Sequence, residues 1–163
     1  PTGLPTELCL RTMARLAPPP AERKMKIFCD FHLTPNRAHK AERLRFQEQL
    51  HGCPQVRFLS RKVHQLVLWR HYSEHAFVAS THGNGLDCHR TWEALLLGCI
   101  VVTKRSSLDS LFDGLPVVLV DDWSECEEPL FLEKWLDRYR TSQHDVWEHL
   151  NADRWLRRIR SER

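Results

Sequence analysis

The chain has 163 residues, 42% of them hydrophobic and 28% charged, with a formal net charge of +3. That length fits one domain with a core of its own, and so mild a charge argues against nucleic acid, which asks for a strong basic patch. No apolar run approaches the roughly 20 residues that span a bilayer. The six cysteines are scattered with no C-x-x-C pair, so no metal site is expected and no disulfide pairing can be read.

Residues 1–23 read as a linker or the end of a preceding domain. Ala17-Pro-Pro-Pro20 cannot continue a helix, although residues 7–16 have helical spacing. The chain begins at Pro1 rather than Met. It therefore reads as a fragment or processed form whose targeting segment lies elsewhere.

From residue 24 the pattern alternates. Residues 25–32 are an apolar, β-rich strand. Residues 38–51 have helical spacing with Leu44 and Leu50 inward, and Gly52-Cys-Pro54 is a stop signal. A strand over 55–59 and a helix over 61–73 follow. Next come a strand over 76–80, a helix over 87–97 and a strand over 99–103. Residues 107–112 form a short helix ended by Gly114. A strand over 116–120, a helix over 129–140 and a last helix from about residue 145 complete the reading.

Continuous apolar strands alternating with helices predict a parallel sheet covered on both faces. The expected fold over residues 24–163 is α/β, a doubly wound Rossmann-like sandwich of about five strands. A flavodoxin-type strand order is left open.

Residues 77–103 are the most informative stretch. An apolar strand hands the chain to a loop and helix crowded with His82, Gly83, Asn84, Gly85, Asp87, His89, Arg90 and Glu93. Open α/β sheets build ligand sites at such strand ends. With Asp87 as N-cap, the spacing sets His89, Arg90 and Glu93 within one arc of about 100°. A free helix N-terminus suits a phosphate, the glycines let backbone approach it, and Arg90 can grip it as a fork. Glu93 can accept from ribose or sugar hydroxyls. The competing structural reading is a cap, an i,i+3 surface pair and a turn. Gly83-Asn-Gly85 lacks the third glycine of the dinucleotide fingerprint, so no such cofactor is expected. Arg37, Arg61 and Lys104 follow other strands and are weaker candidates for neutralising a diphosphate. Asp30 and His32 close the first strand as a polar pair at the rim, and Asp121 and Asp122 follow the fifth.

At these residues the chain resembles a known group. "FVASTHGNGLDCHRTWEALLLGCIVV", followed by "LDSLFDGLPVVLVDDWSE" and preceded by "KIFCDFHLT", resembles the exostosin-like glycosyltransferases of family 47. The likeness covers about residues 24–140. One departure is Val101, where that family usually has proline.

The resemblance implies one lobe of a GT-B enzyme: the C-terminal lobe, which binds a nucleotide sugar, commonly a UDP-sugar, without metal or cofactor. It implies that Arg90 and the backbone of Gly83 and Gly85 face the diphosphate, with Arg90 stabilising the leaving group. Glu93 would contact the donor ribose or sugar, and His82, Asn84, Asp87 and His89 would line the donor pocket. A glycan acceptor and a separate N-terminal lobe carrying the catalytic base are implied partners. A Golgi or other endomembrane location follows if the source is eukaryotic, and membrane association of the parent protein stays open. Two rival readings remain. One is a GDP-fucose-using fucosyltransferase-like enzyme, a group that usually shows a Glu-Lys pair where this chain has Arg90 and Glu93. The other is a truncated, non-catalytic nucleotide-sugar-binding module.

Overall fold

Strands that are apolar on both faces need cover on both, and the computed structural model shows how this chain supplies it. It describes residues 6–31, 40–83, 85–140 and 146–161. Arg37 and Asn84, with His32, lie outside the described residues.

Five strands form one sheet: β1 (Lys24–Cys29), β2 (Val56–Phe58), β3 (His75–Ala79), β4 (Ile100–Lys104) and β5 (Val117–Val120). Every pairing is parallel, and the strand order is β2-β1-β3-β4-β5. The doubly wound α/β expectation holds, and the order is the flavodoxin type that the sequence left open.

Alternate residues of each strand feed two cores, as the two-residue period of a strand requires. Ile27, Cys29, Phe77, Ala79, Val102 and Val118 face one side. There α2 (Lys40–Leu50) contributes Phe46 and Leu50, a 3-10 turn contributes Trp123, and α5 (Phe131–Arg140) contributes Phe131 and Leu132. Phe28, Val78 and Val101 face the other side. There α1 (Thr6–Leu16) contributes Leu10, α3 (Gln65–Glu74) contributes Trp69 and Tyr72, and α4 (His89–Leu96) contributes Ala94 and Leu95. Within the stretch read as a linker, α1 therefore sits in the helical layer, packed on α3 and α4. The expected last helix is two: α6 (Val146–His149) and α7 (Ala152–Ser161).

Local chemistry sets several boundaries. His64 caps α3, its Nδ1 accepting from the Leu66 amide at 3.4 Å, so the helix starts later than residue 61. Of the expected inward pair on α2, Leu50 is buried and Leu44 half-buried, and Phe46 takes the central place. The turn at Asp121-Asp122 is structural. Asp122 caps the 3-10 segment Trp123–Glu127 in a capping box with Glu125, and Asp121 pairs with Arg105 at 3.3 Å. The six cysteines are unpaired.

Candidate functional site

In this strand order the connections from β1 and β3 leave toward opposite faces, which opens a crevice between their C-terminal ends. From β1 the chain leads to α2 on one face, and from β3 to α4 on the other. A cleft of about 790 Å³ lies there. Asp30, immediately after β1, and Arg43 of α2 form one wall. Gly83, Gly85, Asp87 and Cys88 form the loop side. His89, Arg90, Trp92 and Glu93 come from the first turns of α4, with Gln65, Leu68 and Tyr72 from α3. Of the residues expected at a ligand, the structure thus gathers Gly83, Gly85, Asp87, His89, Arg90 and Glu93 into one cleft.

His82 goes elsewhere. It is buried, with Nδ1 2.8 Å from Glu42 Oε2, and its amide donates to Glu42 Oε1 at 3.3 Å. Its carbonyl accepts from Arg43 Nε at 3.1 Å. Glu42 and Arg43 therefore clamp the loop onto α2, and His82 is the anchor rather than a cleft wall. Two further charges are also displaced from the cleft. Arg61 is exposed beside a separate groove along β1 and β2, and Lys104 ends β4 outside the cleft lining.

Asp87 does not cap α4. The N-cap is Cys88, which makes no side-chain cap bond, while Asp87 Oδ2 accepts from Trp92 Nε1 at 3.2 Å. The extended Cys88 backbone shifts the helix start by one residue, carrying Asp87 out of capping range. The first amides of α4 thus lack a side-chain acceptor at the cleft, which leaves the helix's positive end available to an anion.

The two charges expected on one arc do not pair with each other. Arg90 Nε donates to Asp30 Oδ1, and Nη1 lies 3.5 Å from Cys88 Sγ. Burial pulls the Arg90 pKa down, but the adjacent Asp30 carboxylate together with Cys88 and Tyr72 outweighs that, and the net direction is up. Glu93 turns to α3, where its Oε2 accepts from Trp69 Nε1 at 2.9 Å and Gln65 Nε2 at 2.8 Å. Burial raises the Glu93 pKa, and these two donors oppose the rise. Tyr72 is fully buried beside Asp30, and its hydroxyl has no hydrogen-bond partner. Burial first, and then the Asp30 charge, raise its pKa.

Beneath the cleft, Ser80 Oγ and Thr91 Oγ1 meet at 2.7 Å, and Thr103 Oγ1 donates to the Ser80 carbonyl at 2.8 Å. These buried bonds fix the α4 start on β3 and β4. Sequence reasoning missed Arg43, Gln65, Trp69 and Tyr72. The last three fall at i, i+4 and i+7 on α3, a single helical face, so the signal was present without an indication of what that face met.

Among the described residues, no three His, Cys, Asp or Glu side chains are placed to hold a metal ion. No described helix is long and apolar enough to cross a membrane.

No protein-family model matches the chain, and no curated protein matches it. Among solved structures it is similar to an α,α-trehalose-phosphate synthase (UDP-forming) from Burkholderia vietnamiensis, at 14% identity and a TM-score of 0.42. The alignment covers 98% of this chain and 48% of that one, so the chain spans about half the length of that protein. A likeness this distant carries no weight for the reading of the cleft.

Proposed function

We propose that the cleft is the donor site of an exostosin-like glycosyltransferase of the GT-B type and that it binds a nucleotide sugar, a UDP-sugar by preference. The observation that carries this reading is the uncapped N-terminus of α4, opening into a crevice at the β1–β3 switch point beside Gly83, Gly85 and Arg43. Backbone amides, a helix dipole and a cation around one crevice suit a diphosphate. Glu93 and Asp30 are acceptors at the same cleft, suited to ribose or sugar hydroxyls.

In the reaction, an acceptor hydroxyl displaces the nucleoside diphosphate from the anomeric carbon in one inverting step. The α4 amides and Arg43 would stabilise the charge gathering on the departing diphosphate. Arg90 contributes by holding Asp30 in place. Deprotonation of the acceptor falls to a base on a second lobe, which would also hold the glycan. The likeness of residues 24–140 to the exostosin group supports this division of labour.

The test is calorimetric titration with UDP of the wild type, Arg43→Met and Gly85→Val. A Cβ at Gly85 would sit 3.7 Å from its nearest neighbour, the Asp87 carbonyl, an ordinary contact at a position that lines the cleft. Gly85→Val should melt near the wild-type temperature, Arg43→Met should lose some stability with its bond to the His82 carbonyl, and both should bind UDP at least about tenfold more weakly. Wild-type protein that gives no binding heat with millimolar UDP, or variants that bind it as well, would overturn the reading. Tighter binding of GDP than of UDP would favour a fucosyltransferase-like donor instead.

A further inference from the structure

The end of the sheet opposite the cleft holds a second cavity, of about 350 Å³, among Leu96, Ile100, Pro116, Leu136, Val146 and Trp147. Among the described residues its one charged lining residue is Arg23, which is only 8% exposed. A buried charge ordinarily has a counter-ion, because leaving it unpaired in an apolar setting is costly.

Arg23 has no carboxylate partner among the described residues. Nε donates to the Pro18 carbonyl at 2.6 Å, Nη2 to the Leu97 carbonyl at 2.9 Å, and Nη1 lies 3.5 Å from Cys99 Sγ. Cys99 supplies no charge, since burial pushes its thiol up to about 12 in spite of the guanidinium beside it. Burial likewise lowers the pKa of Arg23, with Cys99 opposing, and a guanidinium stays cationic at neutral pH regardless. The C-terminal end of α4 offers at most about half a negative charge. Five guanidinium N–H groups thus meet two carbonyls and a neutral thiol.

The backbone is arranged around this cation. Gly98, at φ +75°, leaves space that a Cβ would narrow to 3.1 Å from Nη2. At the roughly 30 Å³ that a water occupies in the liquid, the cavity has room for about a dozen water-sized groups, on the scale of a medium-chain acid.

We propose that this cavity binds a small organic monoanion, a carboxylate on an apolar body, with its head on Arg23 and its body against Leu96, Ile100 and Trp147. The site is separate from the cleft and independent of the donor reading.

Octanoate and 1-octanol, which share an apolar chain and differ in charge, are the probes for calorimetry at neutral pH. Wild type should bind octanoate at least about tenfold more tightly than octanol, as expected for one charge-assisted contact. Arg23→Met should erase that preference. Ala14→Trp, which fills the cavity from α1 and leaves Arg23 in place, should abolish octanoate binding. If Arg23→Met does not fold, the acid–alcohol comparison and Ala14→Trp decide. No octanoate binding by the wild type overturns the proposal. So does an acid preference below about tenfold, or undiminished binding by Ala14→Trp.

Discussion

Arg90 and Asp30 form a nearly buried ion pair in the cleft lining, with side-chain exposures of 14% and 9%. Removing one partner strands the other charge, and such losses typically cost about 3–5 kcal/mol. Arg90→Leu should therefore lose about that much stability in urea unfolding. Pairing it with Asp30→Asn should recover most of the loss, because no uncompensated charge remains. A single variant that lost no more than the ~0.5 kcal/mol of a surface change would contradict the pair's role. This coupling also makes weakened UDP binding by an Arg90 variant ambiguous, which is why Gly85 is the better probe.

Glu93 is the second titrating group of interest. Its folded-state pKa is raised, chiefly by burial, so the folded protein favours the protonated acid. That contribution is fully present below the ordinary glutamate value and fades as pH rises through the folded value. Glu93→Gln keeps an oxygen acceptor for Trp69 and Gln65 without the charge. It should raise the melting temperature at neutral pH and make no difference near pH 4, and melts of both proteins across that range check the sign.

At the scale of elements, α4 joins both ends of the molecule. Its N-terminus opens on the cleft, and its C-terminus ends at Gly98, where φ is +75° and Arg23 presses close. Gly98→Ala imposes the left-handed strain of roughly 1–2 kcal/mol and also crowds Nη2. Gly52, at φ +85°, has open space around an added Cβ and bears the strain alone. Gly98→Ala should thus destabilise more than Gly52→Ala in parallel denaturation curves, and equal losses would show that the Arg23 contact yields freely.

The same elements show what the sequence could convey. The strands were legible chiefly where buried parallel strands read as unbroken apolar runs, as in β3, β4 and β5, while the edge strand β2, Val-Arg-Phe, is only half-buried. Strand order was not legible, since no local pattern says which edge a strand joins. Within the site, the loop and the polar start of α4 were legible from residues 82–93. The partners were not: Arg90 and Glu93 share an arc on α4, but long side chains reach what lies opposite, and that depends on how α3 and β1 dock. Cys88 displaced Asp87 as the cap because the helix begins one residue later than polar-residue preference suggests.

For the molecule as a whole, the cleft stands at one end of the sheet and the Arg23 cavity at the other, with two cores between them. The placement of β1 between β2 and β3 has a consequence for how the protein is made. Asp30 and Arg90 are 60 residues apart, and β3 joins β1 only after β2 has been laid on the outer edge and α3 on one face of the sheet. A chain emerging from the ribosome would carry Asp30 long before its cation, and no fragment that stops within α3 contains the crevice. Closing so long a loop is slow relative to local helix formation. Capture of the proposed donor would then be a late event in biosynthesis, reporting that the topology is finished rather than that folding has begun.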